Sequence, residues 1–526
     1  MLMAEIFQKA DVVVAWLGEE QDDSAMALDM ILKFSGVWMG YMDREINPGE
    51  GLRGISDAFE SRVWVSMAKL FMRAWWTRLW IYQEVILARN VVLCCGQSSI
   101  DWNELTSAYF LLSALLLPHN AQYLEVRDTG QVVIVMEMSS WTSLVIDRWN
   151  RHTQVQLTAQ PTLVQLLRNC LSRQSTDPRD RFYAVMGMAS DAGDFGKPDY
   201  NSSIERVYEN YVRTIISRDR SLALLCYARS AVITPEVGAG FSLDPAVLPS
   251  WVPHWVWGLQ TSRIDPSAYN ATPSTQPECH FASGELCVSG AMIDAVADIV
   301  FQPFLGKEKR RWVEVATRPG LSVPYPTGIP RLQAFFRTLL ADCSGPGMPR
   351  LDPSSEEFAN FAASFLFLLP GFIYDDGKVL FETVEAEEKP DYVLGFLKLV
   401  ESEHVNTSTQ QLLDTYFGPV FPAVETDMHR GRHSTKTYAI TETRTTRGRC
   451  LFMTKNGYMG LASSVIQSGD GIWILPGCPL PLILRPCGDS FVLVGECFVL
   501  GLMDGEALDM IGEDDGLIPL QQLRLR

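Results

Sequence analysis

Short apolar runs that end at polar or glycine residues mark the beginning of the chain. Residues 11–18 read Asp-Val-Val-Val-Ala-Trp-Leu-Gly, and residues 91–96 form a second β-branched run. Runs of this length and composition are typical of strands buried in a parallel sheet. Helical spacing is found over residues 25–34 and again from about residue 61, and the glycine-rich stretch 37–61 predicts a loop. The order of strand, helices and strand indicates a parallel α/β layer.

The pattern is mainly helical from Trp102 to about residue 230. Ser202 stands three residues before Glu205, which predicts a capping box at the start of one helix. Residues 228–280 and 317–354 are rich in proline, so loops are expected there. An apolar stripe at helical spacing predicts that the capped helix packs into a core. The stripe consists of Val207, Tyr208, Tyr211, Val212, Ile215 and Ile216.

After about residue 435 the chain changes to short β-prone runs separated by glycines, which predicts a small antiparallel sheet or barrel. We therefore expect an α/β fold with a partial parallel sheet, followed by a mainly helical region and a C-terminal antiparallel β module. The expected divisions are an α/β domain over residues 1–110, a mainly helical region over 111–260, an irregular α+β region over 261–434 and a β-rich module over 435–526.

The charge balance limits the partners that the protein is expected to bind. The 62 acidic residues outnumber the 44 basic ones, and the net charge of -18 repels phosphate backbones and anionic lipid. Nucleic acid and membrane surfaces are therefore not expected partners. The longest apolar runs, residues 109–118 and 361–369, fall short of the roughly 20 residues of a membrane-spanning helix.

The cysteines predict a reducing compartment. Eleven are scattered along the chain without a paired C-x-x-C spacing, and no secretory signal is recognisable, so we expect a cytoplasmic protein. His429 and His433 lie four residues apart, a spacing that places two metal ligands on one face of a helix. The neighbouring Gly431, between two arginines, favours a loop instead, and no metal site is expected.

Two charged segments have an ordinary structural interpretation. Arg444, Arg447 and Arg449 are interleaved with threonines and, in so acidic a chain, predict a solvated hairpin rather than a nucleic-acid site. Asp177–Arg181 alternates charges, and we interpret it as a turn that pairs its own charges and starts a helix, rather than as an anion site.

The acidic loop after Gly18 is a candidate ligand site. Open α/β folds place ligands at the carboxyl ends of their strands, so Gly18 is a candidate ligand-binding position. The alternative is that Asp22, Asp23 or Ser24 caps the helix that follows.

A tryptophan-rich segment carries a family resemblance. Residues 75–84 read Trp-Trp-Thr-Arg-Leu-Trp-Ile-Tyr-Gln-Glu, are preceded by the run 5–18, and are followed by Cys95-Gly96 and Trp102. In order and spacing these segments resemble the second half of the heterokaryon-incompatibility (HET) domain of fungal proteins. The first strand, helix and strand of that domain have no counterpart before Met1, which predicts a shortened gene model or a member that has lost half of a nucleotide-sized pocket.

The resemblance continues along most of the chain. The segments that resemble the stretch following the HET domain are residues 177–187, 198–200 and 248–254. The segments that resemble the family's C-terminal module are residues 457–460, 469–470, 481–485 and 494–506. Residues 260–435 carry the least information.

Glu84 is the candidate catalytic residue that the resemblance implies. HET domains are similar to TIR domains, and Glu84 falls where the TIR helix carries the glutamate associated with NAD cleavage. NAD would then be a substrate, and no cofactor is otherwise indicated. A carboxylate at this place stabilises the oxocarbenium-like ribose as nicotinamide leaves. The aromatic rings of Trp80 or Trp76 can stack on a flat ring, and Arg78 and Gly18 complete the candidate ligand-binding set.

A structural interpretation of Glu84 stays open beside the catalytic one. Its carboxylate could bond Arg78, Arg89 or backbone groups and fix the helix, since buried ion pairs also perturb carboxylates. The sequence contains no glycine-rich phosphate loop that would support a nucleotide site.

Three functions are consistent with the sequence. The resemblance implies nonself recognition, in which an incompatible partner protein, including HET-family proteins, triggers growth arrest or programmed cell death of fused fungal cells. The second is a TIR-like NAD glycohydrolase that uses Glu84, or a family member recruited as an enzyme of a biosynthetic pathway. The third is an inactive, truncated relative that modulates full-length members by self-association or mixed complexes through an exposed sheet edge.

Overall fold

The protein is described from a computed structural model. The residues that the structure describes are 2–45, 61–115, 123–128, 131–137, 139–153, 160–228, 248–255, 264–300, 325–329, 331–343, 350–351, 372–375, 378–381, 445–446, 448–514 and 517–526. The chain divides into two compact units between Val207 and Tyr208, and Trp255 belongs to the first.

The sheet of the first unit is small and mixed. Its strands are β1 (Val13–Trp16), β2 (Val91–Cys95) and β3 (Ser98–Asp101), in that order. β1 lies parallel to β2, as the sequence predicts, whereas β3 lies antiparallel to β2. Only Gly96 and Gln97 join β2 to β3, and a connection this short permits a hairpin but not a parallel crossover. Gly96 has a φ of 54°, and a side chain there would lie 2.7 Å from the Cβ of Glu20.

Helices pack beside this sheet. They are α1 (Leu2–Lys9), α2 (Ser24–Met42), α3 (Ser61–Phe71), α4 (Trp80–Leu87), α5 (Trp102–Leu115), α6 (Ser139–Thr153), α7 (Leu163–Asn169) and α8 (Asp180–Met186), with 3-10 turns at Ala74–Thr77 and Ala192–Phe195. A hairpin of β4 (Tyr123–Asp128) and β5 (Gln131–Glu137) interrupts the predicted helical region. The fold class is confirmed at this end of the chain: helices with a small sheet, followed by a mainly helical stretch.

α2 differs from its prediction at both ends. It continues to Met42 through Gly36, where the sequence predicts a loop. Each glycine costs about 1 kcal/mol in a helix, but packing overrides this cost, since the Trp38 and Phe110 rings stack at 5.8 Å. At the start, the sequence offers Asp22, Asp23 or Ser24 as the cap. Asp23 occupies the N-cap position with a φ of 56° and makes no side-chain cap, so for Asp23 the capping role is wrong.

Aromatic side chains form the centre of the first unit. The rings of Phe71 and Trp141 stack at 4.1 Å, and Trp76 lies 5.3 Å from Phe71 and 6.2 Å from Trp102. Trp75 meets Trp76 edge-on at 4.9 Å. Large rings of this kind dominate the burial of apolar area, and this cluster fixes α3, α5 and α6 around the segment that leads into α4.

α9 (Ile204–Asp219) contains the predicted apolar stripe, and all six residues of the stripe are buried. The predicted capping box is wrong, because Ser203, not Ser202, accepts the backbone N–H of Arg206 at 3.3 Å. Ser202 instead donates its hydroxyl to the carboxylate of Asp199 at 2.6 Å.

The second unit is built mainly from strands. They are β6 (Cys279–Ala282), β7 (Glu285–Val300), β8 (Phe372–Asp375), β9 (Lys378–Phe381), β10 (Arg449–Thr454), β11 (Met459–Ser463), β12 (Gly471–Ile474), β13 (Leu482–Cys487), β14 (Ser490–Val499) and β15 (Gln521–Leu525). Beside them lie α10 (Arg331–Leu339) and 3-10 turns at Ala223–Tyr227, Pro266–Ala268 and Glu506–Met510. The C-terminal antiparallel sheet that the sequence predicts is confirmed.

Six of these strands close into a barrel. The pairing runs from β7 to β10, β11, β14, β13 and β12 and returns to β7, and every pair in this ring is antiparallel. β7 makes closure possible because it is long. Its residues 291–295 pair with β12, residues 296–300 pair with β10, and its first half pairs with β6 and β15. The barrel therefore takes an essential strand from the region where the sequence carried the least information.

A buried ion pair joins two strands of the barrel. Arg449 at the start of β10 donates to the carboxylate of Glu496 on β14, and both side chains are fully buried. The prediction that Arg449 belongs to a solvated hairpin is therefore wrong, because its strand lies between β7 and β11. Arg444, Arg447, His429 and His433 lie outside the described residues.

Candidate functional site

The candidate site is built on α4, the helix that carries Glu84. Ile81 and Val85 are completely buried, whereas Glu84 and Trp80 on the adjoining face are half-buried. These two residues are one helical turn apart, so their side chains lie on the same face. The structure thus brings together the catalytic candidate and one of the candidate stacking rings.

The carboxyl end of α4 is held by Arg148 on α6. The guanidinium donates to the backbone carbonyls of Val85, Ala88 (2.7 Å) and Arg89 (2.9 Å). Helix ends leave carbonyl groups without partners, and a cation at this end is also favoured by the helix dipole. Burial lowers the pKa of Arg148 to about 10, so the side chain remains charged at neutral pH.

The amino end of α4 is held by α8. The indole N–H of Trp80 donates to Oδ2 of Asp180 at 3.1 Å, and the Tyr200 hydroxyl donates to Oδ1 of the same carboxylate at 2.6 Å. Burial, followed by the hydrogen bond to Asp180, raises the pKa of Tyr200. Three segments that are far apart in the sequence therefore meet here, and we call Trp80, Asp180 and Tyr200 the Asp180 cluster.

Arg179 completes the surroundings of this cluster. Its guanidinium makes a bidentate salt bridge with the carboxylate of Asp177, with hydrogen bonds of 3.0 and 2.8 Å. Hydrogen bonding to Arg179 lowers the pKa of Asp177. The guanidinium also lies 5.4 Å from the centre of the Tyr200 ring and donates to the carbonyl of Ser202 at 2.9 Å. The prediction of a turn that pairs its own charges and starts a helix is confirmed.

The electrostatics of Glu84 are those of a partly desolvated acid. Burial raises the pKa of its carboxyl group, and the positive charge of Arg78 opposes this shift. Arg78 is exposed, and the backbone beside it is fixed because the N–H of Leu79 donates to the carbonyl of Gln174 at 2.7 Å. An acid of raised pKa stays protonated to a higher pH, and its ionised form interacts strongly with a nearby positive charge.

The two remaining predicted positions lie elsewhere. Trp76 is completely buried in the aromatic cluster, and its indole N–H donates to the carbonyl of Leu70 at 2.9 Å. Gly18 has a φ of 107°, and the loop around it is closed by Arg73, which donates to the carbonyls of Leu17 and Glu19, each at 3.0 Å. Neither position adjoins Glu84 in the contacts that the structure describes.

A second polar cluster on α4 has no counterpart in the sequence predictions. Tyr82 donates its hydroxyl to Asp147 at 2.9 Å and accepts the side-chain amide of Asn169 at 3.2 Å. Burial raises the pKa of Asp147 to about 6. Asp147 and Arg148 are neighbours on α6. An acidic residue directly beside a basic one in this helix is the sequence signal that could have identified both residues.

In the part of the chain that the structure describes, no three His, Cys, Asp or Glu side chains are placed to hold a metal ion. None of the described helices has the length and apolar character needed to cross a membrane.

Two segments of the sequence match known protein families. Residues 1–84 match the family described as heterokaryon incompatibility protein (HET), and residues 421–516 match the Het-6 beta-barrel domain. The first match ends at Glu84, and the second contains most strands of the barrel. The resemblance drawn from the sequence is confirmed for these two segments.

A relative matches along nearly the whole chain. The chain is 22% identical to heterokaryon incompatibility protein 6, OR allele, of Neurospora crassa, in an alignment that covers 98% of this chain and 79% of that protein. No solved structure matches the chain.

Proposed function

We propose that this protein acts in fungal nonself recognition and that contact with an incompatible partner protein leads to growth arrest or death of the fused cells. The observation that carries the proposal is the extent of the match: the incompatibility protein of Neurospora crassa aligns with 98% of the chain, including both matched domains. A cytoplasmic location, where fused cells mix their contents, is part of the proposal. All eleven cysteines are free, which supports a reducing compartment.

The test is expression in a filamentous fungus followed by fusion with strains of different incompatibility type. We expect normal growth alone, and growth arrest with uptake of a vital dye only after fusion with particular strains. A fluorescent fusion reports location in the same cells. Equal growth after every fusion, at expression verified by immunoblot, would rule out this function.

An enzymatic mechanism for the death signal rests on the surroundings of Glu84. We propose that Glu84 assists hydrolysis of NAD to nicotinamide and ADP-ribose. In this reaction the bond between the ribose C1′ and the nicotinamide nitrogen breaks and its electron pair leaves with nicotinamide. Water supplies the hydroxyl group to C1′ and releases its second proton to solvent. The ionised Glu84 carboxylate would stabilise the positive charge that develops on the ribose, and partial desolvation strengthens this interaction. The observations that support the proposal are the half-buried acid and a helix held at both ends by Arg148 and the Asp180 cluster.

Nicotinamide release by the purified protein tests this mechanism. We expect release by the unmodified protein, at least 100-fold less by Glu84→Gln, and an unchanged rate in the control Glu104→Gln, which alters a half-buried glutamate on α5. Circular dichroism checks that each variant is folded. Equal release by Glu84→Gln and the unmodified protein would exclude Glu84 as the catalytic residue, and absence of release would leave recognition without this chemistry.

A further inference from the structure

Two cysteine side chains of the second unit lie in contact with each other. The sulfur atoms of Cys226 and Cys478 are 3.6 Å apart, although the two residues are 252 positions apart in the sequence. Both residues are buried. Cys226 belongs to the 3-10 turn at Ala223–Tyr227, and Cys478 lies in the connection between β12 and β13. Neither residue takes part in the functions proposed above.

This contact differs from the surroundings of two other buried thiols of the same unit. The thiol of Cys497 donates to the carbonyl of Pro481 at 3.5 Å, and that of Cys450 donates to the carbonyl of Ala462 at 3.6 Å. A buried cysteine generally packs as a small apolar residue and needs no second sulfur beside it. The sulfur–sulfur contact therefore gives Cys226 a reaction partner that a bond to a carbonyl group does not provide.

Hydrogen bonds hold the backbone on both sides of the contact. The N–H of Leu222 donates to the carbonyl of Gly477 at 2.9 Å, and the hydroxyl group of Thr272 donates to the carbonyl of Cys478 at 2.8 Å. Sulfur atoms in a disulfide are about 2.05 Å apart, so the two sulfur atoms would have to approach by about 1.5 Å. Because the two segments already meet in the folded chain, a bond can form without bringing distant segments together.

We propose that Cys226 and Cys478 form a redox-sensitive modification site, at which a peroxide joins the two thiols in a disulfide that thiol reductants reopen. One thiolate attacks an oxygen atom of hydrogen peroxide, which breaks the O–O bond and leaves a sulfenic acid and a hydroxide ion. The sulfur of the other residue then displaces the hydroxyl group of the sulfenic acid and forms the S–S bond. Both oxygen atoms leave as water with the two thiol protons, so the sulfur atoms are oxidised and the peroxide is reduced.

Burial determines which oxidant the pair accepts and how fast it reacts. Burial, followed by hydrogen bonding to Cys478, raises the pKa of Cys226. Because the thiolate is the reactive form, a thiol that keeps its proton reacts slowly. Hydrogen peroxide is a small molecule, whereas oxidised glutathione is a peptide disulfide too large to enter a close-packed core. We therefore expect peroxide to close the pair over minutes to hours, without a mixed disulfide as an intermediate.

Mass spectrometry of the full chain tests the proposal. The protein is incubated with excess hydrogen peroxide or with oxidised glutathione, quenched with acid, and alkylated in denaturant before proteolysis. After peroxide we expect peptides linked through Cys226 and Cys478, which dithiothreitol separates, and at least about tenfold less of this product after oxidised glutathione. The linked chain should also migrate faster in a non-reducing denaturing gel, because the bond joins positions 252 residues apart.

Cys226→Ala and Cys478→Ala should each abolish the linked peptides and the faster migration. The matched control is Cys497→Ala, which removes another buried thiol of the second unit and should leave both signals unchanged. Circular dichroism checks that the variants are folded, and the linked peptides of the unmodified protein identify the bond independently of any variant.

Three results would overturn the proposal. The first is that both residues keep free thiols, or become sulfonic acids, after prolonged treatment with peroxide. The second is a gel shift that persists in Cys226→Ala, and the third is a glutathione adduct or equal linking by the two oxidants. None of these results depends on the nonself-recognition assay or on NAD cleavage.

Discussion

Asp147 illustrates at the scale of one residue how burial couples stability to pH. Burial raises the pKa of its carboxyl group to about 6 from an ordinary value of 3.8, while the hydrogen bond from Tyr82 opposes the shift. A carboxyl group with a raised folded-state pKa stabilises the fold while it is protonated, and the contribution is lost as the pH rises through about 4 to 6. The shift corresponds to about 3 kcal/mol.

We therefore predict that Asp147→Asn makes the protein more stable than the unmodified chain at pH 7.5, by up to about 3 kcal/mol, and similar in stability at pH 4. The amide keeps an oxygen that can accept the Tyr82 hydroxyl. Urea unfolding at the two pH values measures the difference. A stability difference that does not change with pH would contradict the assigned ionisation.

Arg449 and Glu496 give a second prediction at this scale. Both are fully buried, so truncating one leaves a buried charge without its counter-charge. We expect Arg449→Met to lower the free energy of unfolding by about 3 to 5 kcal/mol. The double variant Arg449→Met/Glu496→Met should lose markedly less, because it leaves no isolated charge. Equal losses in the single and double variants, measured by urea unfolding, would contradict this account.

At the scale of elements, α4 depends on α6 for its carboxyl end. Arg148→Ala removes the donors to Val85, Ala88 and Arg89, and we expect a loss of about 2 to 4 kcal/mol, given the usual contribution of charged hydrogen bonds. Hydrogen exchange should become faster in residues 80–88. Arg148→Lys should restore only part of the protection, since an ammonium cannot reach the three carbonyls as a planar guanidinium does.

The control for this prediction is Arg151→Ala on the same helix, since Arg151 contributes none of these hydrogen bonds to α4. It should leave exchange in residues 80–88 unchanged. If Arg148→Ala and Arg151→Ala had the same small effect, the carboxyl end of α4 would not depend on Arg148.

The elements also show which local patterns the sequence could predict. β1 and β2 are short, β-branched and bounded by polar or glycine residues, and both were predicted close to their observed positions. β7 was not predicted because it is buried along nearly its whole length, so it has no alternation of apolar and polar positions. Gly290 within it also weakens the pattern, yet packing explains this glycine, since a side chain there would lie 2.9 Å from Leu475.

The candidate site was predictable only in part for a similar reason. Trp80 and Glu84 lie one turn apart on a helix, so local spacing places them together. Asp180 reaches the same place through a contact with Trp80 that spans 100 residues of chain, and Tyr200 joins Asp180 across 20 residues. Contacts between segments this far apart leave no local pattern. Trp76 and Trp80 have equivalent helical spacing in the sequence, but the first lies in a 3-10 turn and in the core.

At the scale of the whole molecule, the barrel fixes where the chain can be divided. The β-rich module predicted over residues 435–526 contains β10 to β15 but lacks β7, which closes the ring and also pairs with β15. Without β7, the edges of β10 and β12 would be exposed, and open edges of buried strands favour aggregation. The fragment 435–526 should therefore fail to form a folded monomer.

The fragment 208–526 should fold, because it keeps β7 and the segments that bond to the barrel within the second unit. Among these, the N–H of Leu222 donates to the carbonyl of Gly477 at 2.9 Å, and the N–H of Ser250 donates to the carbonyl of Arg526 at 2.8 Å. Dispersed amide resonances and a single cooperative unfolding transition would identify the folded fragment. A folded, monomeric 435–526 would mean that the ring closes without β7, contrary to the pairing of β12 and β10 with that strand. An unfolded 208–526 would mean that the second unit depends on residues before Tyr208.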